Sequence, residues 1–295
     1  VMGYLDVGYY GQGTLTIEKG GTVKVNGLNP PDVRIASVLG SIGTINIGGG
    51  EDEPAEAPGF LIAETVSFGY GTATLNFNHT GEDYEFGASL VSGSADGTHA
   101  INHFAGTTIL TGDSSTFAGT TTVSGGTLLV NGTLGWDVVV EDDGRLGGNG
   151  TVGSDGKRVS IEAGGFLAPG NSIDTLNING DLTFDPGARF EVEVNNSKSD
   201  QTNVGGTAIL GGTVHVSNLG IQPNTSYTIL TADGGISDTF DEVEFLGFYF
   251  MFVDPQLTYG DSEVMLTFGR NAVNFCDVAR TTNQCAAADA LDTLD

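Results

Sequence analysis

The sequence predicts an all-β protein, and three observations support that prediction. A short unit recurs in which Gly-Thr is followed by alternating apolar and polar residues, the pattern of a half-buried strand. Gly and Asn between these units supply turns that need a positive φ. Helical periodicity is missing from residues 1–270. The unit occurs at Gly13–Ile17, Gly21–Val25, Gly43–Ile47, Gly71–Leu75, Gly126–Val130 and Gly212–Val216.

The spacing of the units favours a solenoid, namely a right-handed parallel β-helix with Val, Ile and Leu inward and Thr, Asn and Asp outward. Gly13, Gly43 and Gly71 lie 30 and 28 residues apart, with short strands between them. Self-similarity on this scale is typical of coils that stack on their neighbours. A string of immunoglobulin-like sandwiches is the alternative, but such units span about 100 residues. Because the Gly-Thr units recur more often, the β-helix is preferred.

Three regions follow along the chain. Residues 1–104 carry β-helix coils, interrupted by an exposed acidic loop at Gly48–Pro58. Residues 105–272 continue the repeats and then become rich in aromatic residues, which we expect to form a C-terminal cap. Residues 273–295 are a linker whose Ala-rich part follows a Thr cap, and this predicts a short terminal helix. The aromatic cap residues are Phe240, Phe245, Phe248, Tyr249, Phe250 and Phe252.

The chain is strongly acidic. Its 295 residues include 37 Asp plus Glu and only 10 Lys plus Arg, for a formal net charge of −27, and no cation occurs between Ile35 and Gly144. Binding of nucleic acid and docking on anionic lipid both need clustered cations, so the composition argues against both. Hydrophobic residues make up 39% of the chain, which is enough for a core. The charge is interpreted as a source of solubility.

No catalytic or cofactor-binding residue is predicted, and we expect this chain not to be an enzyme. Gly112–Ser115 resembles the nucleophile block of GDSL esterases, but that family places its Asp-x-x-His downstream of the Ser. Here Asp96–His99 lies upstream. The Gly-x-Ser-x-Gly elbow of α/β-hydrolases is also missing from the sequence. Ser114 is therefore interpreted as a turn residue.

No metal site is predicted either. The chain has four histidines, at His79, His99, His103 and His215. No further ligands lie at the spacing of zinc sites, so we expect solvated surface histidines. A repeat-toxin calcium loop is approached only by Gly147–Asp155, where the Asp is misplaced and the motif does not recur. Weak calcium binding at Glu51–Glu53 or Glu141–Asp143 is left open.

Five segments, taken in order, resemble a known family. Ala105–Leu134 closely resembles the passenger-associated transport repeat of autotransporters. Phe166–Phe184, with Tyr227–Ala232 and Thr239–Asp241, is similar to the usual continuation of that repeat. Asn274–Leu294 resembles the segment just before the translocating outer-membrane barrel. The resemblance covers residues 105–295 in detail and residues 1–104 more loosely.

The resemblance implies a β-helical passenger at the cell surface of a Gram-negative bacterium, or secreted from it, in which residues 105–272 help the passenger to fold. Its expected partners are its own C-terminal outer-membrane barrel, surface molecules of host or bacterial cells, and further copies of itself. The first functional hypothesis is that the chain is part of an adhesin. The alternative is a carrier stalk for an esterase or protease domain located N-terminal to Val1.

The two cysteines depart from the small or polar residues expected in that last segment. Cys276 and Cys285 are nine residues apart, which in one continuous helix corresponds to about 13 Å along the axis at ~1.5 Å per residue. A disulfide tolerates only about 4.4–6.8 Å between Cα atoms. The periplasm and the cell surface are oxidising, which favours pairing. We therefore predict a disulfide that closes a short loop, with the helix beginning only near Thr282.

Overall fold

The computed structural model describes residues 4–25, 33–94, 96–218, 220, 225–246 and 251–291. Nearly all of its regular structure is β, in 32 strands followed by one 3₁₀ turn and one helix. The first sixteen strands are β1 (Leu5–Val7), β2 (Gln12–Ile17), β3 (Thr22–Lys24), β4 (Val33–Ile35), β5 (Ile42–Gly48), β6 (Phe60–Ile62), β7 (Thr65–Phe68), β8 (Thr72–Asn78), β9 (Tyr84–Phe86), β10 (Ser89–Ser92), β11 (Thr98–Ala105), β12 (Thr107–Leu110), β13 (Asp113–Ser114), β14 (Thr120–Val123), β15 (Gly126–Val130) and β16 (Thr133–Leu134). The remaining elements are β17 (Asp137–Val140), β18 (Gly144–Gly148), β19 (Thr151–Val152), β20 (Arg158–Ile161), β21 (Phe166–Pro169), β22 (Thr175–Ile178), β23 (Asp181–Phe184), β24 (Arg189–Val194), β25 (Gln201–Val204), β26 (Ala208–Ile209), β27 (Thr213–Asn218), β28 (Ser226–Ala232), β29 (Ile236–Ser237), β30 (Glu242–Phe245), β31 (Val253–Tyr259), β32 (Glu263–Arg270), the 3₁₀ turn (Phe275–Val278) and α1 (Thr282–Leu291).

The sheets are parallel and are built from every third strand. From β1 to β30, each sheet pairing in the described residues joins strands that are three places apart in the chain. A ten-stranded sheet runs from β2 to β29, and two eight-stranded sheets contain β9 to β30 and β13 to β31. The first four coils also form a four-stranded sheet, β1-β4-β7-β10, and a two-stranded one, β3-β6. This topology is consistent with the predicted β-helix.

The register corrects one detail of the predicted repeat. Gly13 pairs with Gly43, but Gly43 pairs with Ala73 rather than with Gly71. The first two coils are therefore both 30 residues long. The unit at Gly126 lies in a different sheet from these, because each coil visits three sheets and any of them can begin with Gly-Thr.

Glycine begins these units for two different physical reasons. Gly126 and Gly212 have φ of +65° and +71°, which L side chains rarely adopt. Gly43 has an ordinary φ, but a Cβ there would collide with the carbonyl oxygen of Val7 in the preceding coil. The expectation that glycine marks a positive φ is thus correct for Gly126 and Gly212. At Gly43 the reason is the close approach of two coils.

The interior is a stack of aliphatic side chains from successive coils. Ile45, Leu75 and Ile101 occupy equivalent positions in β5, β8 and β11 and are fully buried. Each such side chain contributes roughly 1.5–3 kcal/mol through burial of apolar surface. The described residues contain no helix long and apolar enough to cross a membrane.

Asparagines in the same sheet alternate with the inward side chains and so lie on its outward face, yet two of them are buried. Asn46 and Asn76 are buried, and the Asn76 amide donates to the Asn46 amide oxygen at 2.9 Å. The ladder continues in both directions, since Asn46 donates to Thr16 Oγ1 at 3.1 Å and Asn102 donates to Asn76 at 3.0 Å. A stacked amide satisfies its neighbour's oxygen, so these polar groups are buried with partners.

The parallel stack ends in an antiparallel hairpin. Strand β32 runs antiparallel to β28, and β31 runs antiparallel to β32. The hairpin pairs the edge that β28 would otherwise leave open, which is how an exposed row of N–H and C=O groups is kept from further pairing. Its inward side chains, Val264, Leu266 and Phe268, are buried against the last coils.

Replacing Thr121 by Val is expected to stabilise the chain by about 1 kcal/mol. Thr121 lies between Ile101 and Val138 in the aliphatic stack, and its buried Oγ1 has no hydrogen-bond partner among the described residues. Removing an unsatisfied buried hydroxyl avoids its desolvation cost. Thr202→Val is expected to act in the same direction, because its Oγ1 is also buried without a partner. Chemical denaturation checks both, and a loss of stability in either variant would contradict the assignment.

Candidate functional site

Three of the four histidines are buried, so the prediction of surface histidines is wrong for them. His79, His99 and His103 have exposed fractions of 0%, 5% and 0%. In β11 the inward positions alternate as His99, Ile101 and His103, and the register sets His103 beside Phe77 of β8. The period-2 alternation around Ile101 was the available signal, since residues two apart on a strand share a face.

His79 and His103 are joined through Thr108 in a directed chain of hydrogen bonds, here called the histidine relay (Gly81, His79, Thr108, His103 and Gly125). The Gly125 carbonyl can only accept, so His103 Nδ1–H donates to it at 2.8 Å and leaves Nε2 as an acceptor. The Gly81 N–H donates to His79 Nδ1 at 3.1 Å, which makes His79 Nε2 the donor. Thr108 Oγ1 therefore accepts from His79 at 2.8 Å and donates to His103 at 3.1 Å.

The relay requires both imidazoles to be neutral. Protonating either ring would place a new N–H against the Gly81 N–H or against the Thr108 hydroxyl, which already donates. Burial lowers the pKa of His79 to about 4, with the charge of His103 as the second cause. Burial likewise lowers the pKa of His103 to about 4. The relay thus connects the end of β8 with β11, β12 and the turn before β15 while the rings remain uncharged.

His99 and Ser114 form hydrogen bonds with different partners. His99 Nε2 contacts the Gly69 carbonyl and Nδ1 contacts the Ser92 hydroxyl, both at 2.8 Å. The Ser114 hydroxyl is buried and accepts the Leu90 N–H at 3.0 Å. Ser114 lies in the short strand β13 rather than in a turn, so its interpretation as a turn residue is wrong, and its hydroxyl links β13 to β10.

An acidic cleft of about 340 Å³ lies beside β24, and sequence reasoning missed it. Asp200 is 2% exposed and accepts the N–H groups of Asp174 at 3.0 Å and Glu193 at 2.8 Å. Burial raises the pKa of Asp200 to about 7. Glu191 is paired with Arg145. Among the described residues no group of three His, Cys, Asp or Glu could hold a metal ion, at this cleft or at Glu51–Glu53.

Two of the predicted cap residues lie in the core at the end of the stack. The Phe240 ring packs on Phe184 and Phe190, with centroids 5.3 and 5.8 Å apart. Phe245 stacks on Phe268 of the closing hairpin at 5.8 Å. Such ring pairs add about 0.5–1.5 kcal/mol beyond their burial.

The other predicted cap residues contribute differently or fall elsewhere. Phe252 is half-buried and packs on Phe275, with ring centroids 4.6 Å apart. Phe248, Tyr249 and Phe250 lie outside the described residues. Sequence reasoning missed the hairpin strand β32, although its alternation of Val264, Leu266 and Phe268 carried the signal.

In the structure Cys276 and Cys285 form a disulfide, with their Cα atoms 4.3 Å apart. The 3₁₀ turn ends at Val278 and α1 begins at Thr282, so the nine-residue span is not one continuous helix. Mass spectrometry of the protein purified without reductant is expected to find no free thiol and a mass two hydrogen atoms below that of the reduced form. Two alkylatable thiols would rule the bond out.

No protein-family model matches the chain. Over 203 residues, or 65% of the chain, it is 34% identical to an extracellular serine protease of Serratia marcescens, of which it spans 19%. Over 121 residues, or 40% of the chain, it is 36% identical to the adhesin BmaC autotransporter of Brucella suis biovar 1 (strain 1330), of which it spans 3%. It is also 32% identical over 128 residues, or 42% of the chain, to the uncharacterized lipoprotein YdeK of Escherichia coli (strain K12), of which it spans 9%. The chain thus spans a fifth or less of these relatives.

Proposed function

We propose that this chain is part of an autotransporter passenger, a right-handed parallel β-helix displayed on the surface of a Gram-negative bacterium or released from it. The observation that carries the proposal is the parallel pairing of every third strand, which is continuous from β2 to β29 in the ten-stranded sheet, together with the antiparallel hairpin at the C-terminal end of the stack. Similarity to a relative named as an autotransporter adhesin supports it.

Within that framework we propose adhesion as the function. A solenoid presents long polar faces built from the outward residues of many coils, and such surfaces suit recognition of other macromolecules. The net charge of −27 keeps these faces soluble. Beads coated with the native chain are expected to attach to host or bacterial cells, or to one another. Beads coated with the heat-denatured chain are the control, and equal attachment of the two would contradict the proposal.

The second candidate is a carrier stalk for an enzymatic domain. It is favoured by the similarity of 65% of the chain to an extracellular serine protease, of which the chain spans only 19%. The remainder of that relative leaves ample length for a catalytic domain. Sequencing the region upstream of Val1 in the parent gene separates the two: a compact domain with a catalytic motif favours the carrier, and further Gly-Thr coils favour the adhesin.

We also propose that residues 105–272 nucleate folding of the chain. The support is a cluster of three mutually packed rings, Phe184, Phe190 and Phe240, next to the closing hairpin. Refolding kinetics of the full chain test this with two matched variants, Phe190→Ala and Phe77→Ala. Phe190→Ala is expected to slow refolding, whereas Phe77→Ala, in the N-terminal coils, is expected mainly to speed unfolding. The reverse pattern would contradict the assignment.

A further inference from the structure

A groove of about 370 Å³ lies at the corner where β4 and β7 of the four-stranded sheet turn toward the ten-stranded sheet. Its volume is in the range of small-ligand sites. It is here called the tyrosine groove, and its side-chain lining is formed by Tyr9, Arg34, Ser37, Val38, Ser67 and Tyr70.

Two tyrosine rings of the groove are open to solvent. Tyr9 is 43% exposed and Tyr70 is 51% exposed. The Tyr10 ring meets Tyr9 edge to face, with centroids 4.3 Å apart, and so supports it from outside the groove. Solvent-facing aromatic rings that converge on one cleft offer flat apolar faces together with polar hydroxyls, the combination found at recognition surfaces. The C–H face of a pyranose ring packs on such an aromatic face.

The groove also contains a cation, Arg34, whose guanidinium forms no hydrogen bond with another described residue. Arg34 is half-buried in β4, between Asp6 of β1 and Ser67 of β7. Within the described part of the chain, no carboxylate forms a salt bridge with its guanidinium, which lies 5.6 Å from the Tyr4 ring centroid. The neighbouring Asp6 instead accepts the Ser37 hydroxyl at 2.6 Å. Arg34 is the last cation before Arg145 in a chain of net charge −27.

We propose that the tyrosine groove binds a sugar that carries one carboxylate. The planar guanidinium of Arg34 holds a carboxylate through two parallel N–H donors. The sugar ring packs on Tyr70 or Tyr9, and the Ser37 and Ser67 hydroxyls lie along the same cleft for hydroxyl contacts. The net charge of −27 repels polyanions, so the ligand is a singly charged sugar rather than a sulfated polymer.

The proposal names a ligand class for the proposed adhesin. It rests on the adhesin function only for its biological role, because sugar binding to the groove is measured on the isolated chain. Binding is measured by titration calorimetry of the full chain with N-acetylneuraminic acid and glucuronic acid, with glucose and N-acetylglucosamine as neutral counterparts. At least one acidic sugar is expected to bind, and the neutral sugars are expected to bind at least about tenfold more weakly.

Variants locate the site. Arg34→Gln is expected to weaken binding of the acidic sugar by about tenfold or more, and Tyr70→Leu is expected to weaken it severalfold. Arg158→Gln removes one cation away from the groove and is the matched control, expected to bind like the wild type. Thermal unfolding verifies that each variant is folded.

Three outcomes overturn the proposal: no binding of either acidic sugar, equal binding of the neutral sugars, or an Arg34→Gln variant that binds like the wild type. Cell attachment by a wild-type chain that binds neither acidic sugar would remove the groove assignment and leave the adhesin function. Sugar binding without cell attachment would keep the groove assignment and contradict the adhesin function.

Discussion

Phe190→Ala is expected to lower the free energy of unfolding by about 3–5 kcal/mol. Phe190 is fully buried in β24, where its ring packs on Phe184 at 5.5 Å and on Phe240 at 5.8 Å. The substitution removes the apolar surface of the ring and leaves a cavity between two other rings, and the neighbouring strands limit how far the site can collapse. Chemical denaturation monitored by circular dichroism measures the loss.

The matched control is Phe60→Ala. Phe60 is 48% exposed in β6, so removing its ring creates no enclosed cavity. We expect that variant to lose about 1 kcal/mol or less. Similar losses in the two variants would show that the packing of the Phe184, Phe190 and Phe240 rings does not contribute the expected stability at the end of the strand stack.

The free energy of unfolding is expected to fall as the pH is lowered from 7 to 4, through the histidine relay. In the folded chain the pKa of both His79 and His103 is about 4, below the usual 6.5. Between these values the unfolded chain binds protons that the folded chain does not, so acid favours unfolding. The contribution is fully present above about pH 6.5, and on the order of 3 kcal/mol per histidine is lost by about pH 4.

Carboxylates also respond to this change in pH. Comparing the wild type with a relay variant at each pH removes their effect. The pKa of Asp200 is raised to about 7 by burial, so its protonation on acidification favours the folded chain and opposes the histidines. Asp113 and Asp181 have lowered pKa values because they accept hydrogen bonds from threonines, and their contributions are lost only at more acid pH. These groups are common to the wild type and to a relay variant.

The measurement is therefore the difference in unfolding free energy between the wild type and His103→Gln as a function of pH. The advantage of the wild type at pH 7.5 is expected to shrink by about 2–3 kcal/mol at pH 4.5. Thr108→Ser retains the central hydroxyl and is expected to keep the wild-type pH profile, whereas Thr108→Val leaves buried ring nitrogens unsatisfied and destabilises at neutral pH. A pH-independent difference for His103→Gln would contradict the relay.

The closing hairpin and the relay show where reasoning from local pattern stops. The alternation of inward and outward residues in β11 and β32 indicates a strand in each case and identifies which side chains share a face. It did not say that β32 runs antiparallel to β28, because the direction of a strand depends on the chain that leads into it. Nor did it say that His79, 24 residues before His103, would share a threonine with it.

Local sequence pattern was enough to show that the chain is built from short half-buried strands, because side chains on a strand alternate with a period of two whatever the neighbouring strand is. The sequence also predicted that α1 begins near Thr282, because one continuous helix from Cys276 to Cys285 would hold the two cysteines too far apart for a disulfide. The three-dimensional structure was needed to show which sheet each Gly-Thr unit joins, that Gly43 pairs with Ala73, and that His79 and His103 share Thr108. Those features depend on the lengths of the corners between strands, which bring together residues of successive coils and leave no periodic trace in the sequence.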